Sequence, residues 1–68
     1  MEKGIGKIIK DLRKEKGMSQ TDLAKLLFTS QDTISLWERD KSLPDVNAVA
    51  EMTKIFNVSA GYLLGLED

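Results

Sequence analysis

The side chains available for chemistry are carboxylates, amines, guanidinium groups, amides and hydroxyls, because the chain contains neither cysteine nor histidine. Thiolate and imidazole metal sites, disulfides, cysteine nucleophiles and histidine general bases are excluded together. The remaining acids and lysines do not recur with a nucleophile and an orienting group at a recognisable spacing, and a core built from 68 residues leaves little room for a pocket. No enzyme, metal, cofactor or small-molecule ligand is therefore expected. The charged groups are instead arranged to attract. Although the formal net charge is only -1, Lys3, Lys7, Lys10, Arg13, Lys14 and Lys16 outweigh Glu2, Asp11 and Glu15 in residues 1 to 18. In residues 45 to 68, Asp45, Glu51, Glu67 and Asp68 are set against Lys54 alone. One end can meet phosphates while the other stays acidic. Solvated helix faces would give the same distribution, so charge alone leaves both readings open.

A chain of this length makes one domain, close to the smallest that folds on a single core without metal or disulfide support. Its apolar content of 41%, with five glycines and one proline, fits neither a disordered nor a fibrous protein. Ala60 to Leu66, the longest apolar stretch, is broken by glycines and far too short to cross a membrane. No secretory apolar segment follows Met1, and the lack of cysteine suits a reducing compartment, so a cytoplasmic protein is expected.

Five short helices must position these groups. Ile5, Ile8, Ile9 and Leu12 form an i, i+3, i+4, i+7 stripe, and Gly17 stops that first helix. Ser19-Gln20-Thr21-Asp22 resembles a capping box opening a second helix, whose buried face is Leu23, Ala24 and Leu27. Thr29 and Ser30 offer the next cap, and Ile34 and Trp37 give a third helix, running to about Arg39, its apolar stripe. The link between the second and third helices is two or three residues, short enough to force a sharp crossing. Asp40 to Pro44 reads as a loop, and Asp45 caps a fourth helix lined by Val49, Met52 and Phe56. Asn57 is a left-handed terminator, Ser59 a further cap, and Tyr62, Leu63 and Leu64 the apolar side of a last helix ending at Gly65. No strand-like alternation, repeat or glycine-rich phosphate loop occurs.

The run from Met18 to Asp40, MSQTDLAKLLFTSQDTISLWERD, resembles the helix-turn-helix of the phage-repressor (Cro-like, XRE) family. The likeness extends to Leu12-Arg13 and Gly17 upstream, to Leu43-Pro44-Asp45, and to Val58-Ser59 followed by Leu63-Leu64-Gly65, so it covers nearly the whole chain. It implies an all-α, five-helix, lambda-repressor-like DNA-binding domain spanning residues 1 to 68, with the second and third helices as the helix-turn-helix. It further implies a transcriptional regulator, expected to be a repressor, that reads a double-stranded operator through the major groove. By the same resemblance Gln31, Asp32, Thr33 and Leu36 occupy the positions that read base edges. Gln20, Ser30, Arg39 and Lys41 are implied contacts to the DNA backbone, and Arg13 with Glu38 resembles the family's structural ion pair. The residue types suit these roles. Gln31 can bond bidentately to adenine, Thr33 can bond through its hydroxyl or touch a thymine methyl, Asp32 can accept from cytosine N4, and Leu36 offers apolar contact.

Three residues depart from the family pattern. Phe28 stands where glycine is usual in the turn, Thr29 replaces an apolar residue, and Asp40 replaces a common glycine. A bulky residue at Phe28 is strained if the turn keeps its positive φ. Because one short helix reads few bases, a homodimer is expected at least on DNA, with half-sites about one DNA turn apart and subunits meeting near Tyr62, Leu64 and Leu66. A protein-interaction module of antitoxin or accessory type is the competing reading.

Overall fold

A computed structural model describes residues 4 to 67. Its elements are α1 (Ile5–Glu15), α2 (Gln20–Leu26), α3 (Gln31–Glu38), α4 (Val46–Phe56) and α5 (Ala60–Leu63), with no strand among the described residues. Each helix sends one completely buried side chain to a common centre: Ile9, Leu23, Ile34, Met52 and Leu63 are all 0% exposed. Ile8, Leu12, Trp37 and Phe56 close around them. Ala24 is the small residue that lets α2 approach α3. The apolar stripe of α5 is narrower than the sequence suggests. Leu63 alone of the Tyr62–Leu64 trio is fully buried, and Leu64 is left partly exposed. Four residues, not two or three, separate α2 from α3, because the turn includes both the helix terminator and the next cap.

The helix starts follow the cap residues. Ser19 Oγ accepts from the Asp22 N–H at 3.0 Å while the Asp22 carboxylate accepts from the Ser19 N–H at 2.9 Å, a complete capping box. Ser30, Asp45 and Ser59 likewise accept from the third backbone N–H of α3, α4 and α5. The start of α1 has no such side chain of its own. Asp40 supplies it from the far side of the fold, its carboxylate accepting from the Gly6 N–H at 3.0 Å. A Cβ on Gly6 would lie 2.5 Å from the Trp37 carbonyl oxygen and 2.6 Å from that of Glu38, so only glycine lets the two backbones meet there.

The helix ends share one device. Gly17, Phe28, Asp40, Asn57 and Gly65 all have positive φ, one after each helix. At the end of α2 the Thr29 N–H donates to the Ala24 carbonyl at 2.9 Å and the Phe28 N–H to that of Lys25 at 3.3 Å, the paired bonds of a Schellman motif. Glycine, asparagine and aspartate tolerate this conformation; phenylalanine does not. The turn thus keeps the left-handed geometry and places Phe28 at φ +55°, with the residue 97% exposed. A left-handed residue with a Cβ costs roughly 1–2 kcal/mol, partly offset by the greater freedom glycine has in the unfolded chain. Phe28→Gly is accordingly expected to stabilise the protein by about 0.5–1 kcal/mol and raise Tm by about 2–8 °C. A thermal melt followed by circular dichroism checks this, and a lowered Tm would mean that the ring makes stabilising contacts.

Candidate nucleic-acid interface

At about 100° per residue, burial of Ile34 and Trp37 on one side of α3 turns Asp32, Ser35, Leu36 and Arg39 to the other. Gln31 lies at the edge of this outward stripe beside α2. Gln31 and Asp32 are exposed, and Leu36 retains 38% of its surface. Thr33 lies on the opposite flank, half-buried, with its hydroxyl oxygen 2.9 Å from Ser30 Oγ. Ser35, half-buried like Thr33, is an outward-turned residue absent from the set expected from the sequence. A helical wheel centred on Ile34 and Trp37 contains the signal for it.

A hydrogen-bonded chain fixes the Gln31 end of the stripe. Arg13 lies on the buried side of α1, and its guanidinium grips the Glu38 carboxylate with Nε 2.6 Å from Oε2 and Nη2 2.9 Å from Oε1. Its remaining arm donates to the Met18 carbonyl at 2.8 Å, tying the α1–α2 turn to the pair. Only 9% of the Arg13 side chain and 3% of the Glu38 side chain are exposed. Burial alone would raise the Glu38 pKa. Hydrogen bonds from Arg13 and Gln20, with the charges of Arg13 and Lys10, outweigh it and hold the carboxyl below its ordinary range. The bond to Glu38 likewise raises Arg13 against the effect of burial.

Gln20 extends the chain outward. Its Nε2 donates to Glu38 Oε1 at 3.0 Å, and its Oε1 accepts from Gln31 Nε2. Gln31 therefore spends one amide hydrogen on Gln20. Its other amide hydrogen and its carbonyl oxygen remain, the donor and acceptor that a bidentate contact to adenine N7 and N6 requires.

The other backbone candidates lie at the two ends of α3. Ser30 is committed locally, its hydroxyl engaged with the N–H and hydroxyl of Thr33. Arg39 folds along its own helix, Nε donating to the carbonyl and hydroxyl of Ser35 at 3.3 and 3.2 Å, which leaves its terminal nitrogens free to donate elsewhere. Lys41 is exposed just beyond the end of α3. Among the described residues there is no cluster of groups able to hold a metal ion, and no helix is long and apolar enough to cross a membrane.

A family model described as helix-turn-helix matches residues 9 to 63. The chain belongs to the helix-turn-helix family. Within it, the chain is 33% identical over 64 residues to the HTH-type transcriptional regulator ImmR of Bacillus subtilis (strain 168), covering 94% of this chain and 50% of ImmR. It is 34% identical over 61 residues to the ImmF control region 10 kDa protein of Bacillus phage phi105, covering 90% of this chain and 68% of that protein. The chain thus spans about half the length of ImmR. The P22 c2 repressor protein, solved in complex with synthetic operator 9T, superposes with a TM-score of 0.88 at 29% identity, over 96% of this chain and 98% of the repressor chain. The five-helix, repressor-like helix-turn-helix fold expected from the sequence is the fold observed.

Proposed function

We propose that this helix-turn-helix chain is a sequence-specific transcriptional regulator that binds double-stranded operator DNA in the cytoplasm. The α3 helix enters the major groove, and the regulator acts as a repressor. The observation that carries this reading is the Gln20–Gln31 amide pair anchored on a buried ion pair at the exposed start of α3. An amide held in place before binding loses little freedom on contact with a base. The solved P22 c2 complex supports the same mode of engagement.

Gln31, Asp32, Thr33 and Leu36 are the proposed base-reading residues, with Ser35 joining them on geometric grounds. Gln20, Ser30, Arg39 and Lys41 serve the sugar-phosphate backbone, which sets register without carrying sequence information. No catalytic step and no cofactor belong to this reading. Two copies bind half-sites one DNA turn apart and meet through the α4–α5 end, where Leu64 and Leu66 are 37% and 79% exposed beside half-buried Tyr62.

Selection of bound sites from a random duplex pool at low and high salt tests the reading. A palindromic motif whose affinity falls steeply with salt, through counterion release, is the expected result. Salt-insensitive retention of no particular sequence would overturn it and favour a protein-interaction module.

A further inference from the structure

We infer that the groove between the α2–α3 turn and the loop leading into α4 is a docking site for a protein segment that presents a large apolar side chain flanked by lysine or arginine. This groove, of about 640 Å³, has Trp37 and Ala48 among its lining residues, with Leu26, Phe28 and Leu43 at its edges. Those last three are 51%, 97% and 71% exposed. Isolated surface leucines are ordinary, but three large apolar side chains gathered around one concavity mark an interaction surface.

Phe28 makes the strongest case. It occupies a backbone conformation that disfavours any bulky side chain, and its exposure means that no burial within the chain offsets the strain. A ring held there at a cost in stability gains only from contact with something outside the chain.

Charge decides what that something is. The ionisable residues lining the groove are Asp45 and Glu51, with no lysine or arginine among them. Glu51 reaches Lys54 only at 3.6 Å on the exposed flank. A second copy meeting this face across a two-fold axis would bring the same carboxylates against each other. A cationic partner meets these two carboxylates favourably and is steered towards them. The groove lies on the flank of α3 away from Gln20 and shares Thr33 alone with the proposed base-reading residues, so Gln31, Asp32 and Leu36 stay outside it.

The test uses the full chain, immobilised, to select from a phage-displayed library of random peptides, with counter-selection on a Phe28→Gly, Leu43→Ser double variant. Surviving peptides are expected to share an aromatic or leucine anchor beside lysine or arginine. A synthetic copy of one survivor should shift the emission of Trp37, the single tryptophan of the chain. Its binding should weaken about tenfold or more with Phe28→Gly and fall in high salt. Phe28→Gly should retain the circular dichroism of the parent, so the loss reads the groove and not the fold. Failure to recover peptides, or recovery of acidic or anchor-free ones, would overturn the inference. A concentration-dependent dimer in sedimentation that Phe28→Gly abolishes would overturn it too, by making a second copy the occupant.

Discussion

Glu38→Ala is expected to leave a large fraction of the chain unfolded at physiological temperature. The substitution strands the Arg13 guanidinium, almost fully buried, without its counter-charge. Breaking a buried pair from one side costs about 3–5 kcal/mol. The whole stability of a domain this size, at roughly 0.05–0.15 kcal/mol per residue, is about 3–10 kcal/mol, so the loss takes much of what is available. Replacing both partners with apolar residues of similar volume should restore most of the stability, because the cost lies in the orphaned charge and not in the loss of a strong bond.

Urea unfolding as a function of pH reads the same pair. The Glu38 carboxyl is held below its ordinary range in the folded state, so its contribution is fully present above the unfolded glutamate value, near 4.3, and is lost as pH falls through the lowered folded value. Glu38→Gln should remove that acid-side slope. An unchanged slope would show that other carboxylates govern acid unfolding.

Gln31→Ala is expected to weaken operator binding by about 1–3 kcal/mol, roughly 5–150-fold, and to erase the preference at one base pair per half-site. Anisotropy titrations against the selected operator and against single-base variants separate the two effects. Since Gln20 holds the Gln31 amide, Gln20→Ala should cost part of the same energy. The double variant should then lose less than the sum of the two single changes. Lys41→Ala, by contrast, should weaken all sequences alike and flatten the salt dependence. If Gln31→Ala bound every operator variant as the parent does, α3 would not be reading bases through its first residue.

The parts of this molecule legible in the sequence are those whose physics is local. The Ile5, Ile8, Ile9 and Leu12 stripe, the capping residues Ser19, Ser30, Asp45 and Ser59, and the terminators Gly17 and Asn57 each act on backbone a few residues away, and each is found where the pattern puts it. Family membership was equally legible, because it rests on many such positions in order. What escaped depends on how helices cross. Gly6 looks like an unfavourable residue in a first turn until the carbonyls of Trp37 and Glu38 are seen against it. Asp40 looks like a mere replacement for glycine until its carboxylate is found capping a helix that begins 35 residues earlier in the chain, at Ile5. The role of Gln20 as a strut between Glu38 and Gln31 is tertiary in the same way. Ser35 is a different kind of omission, since the helical period alone turns it outward once the inward face is fixed.

The five left-handed helix ends also bear on how quickly the protein assembles. Each is closed by backbone bonds that reach back no more than six positions, so the points where helices stop, and where all but α1 begin, are written into short stretches before any distant segments meet. Chains dominated by such near-neighbour contacts reach the native state in microseconds to milliseconds. For this protein the slow part of the search is reduced to bringing five already delimited rods together around Ile9, Leu23, Ile34, Met52 and Leu63.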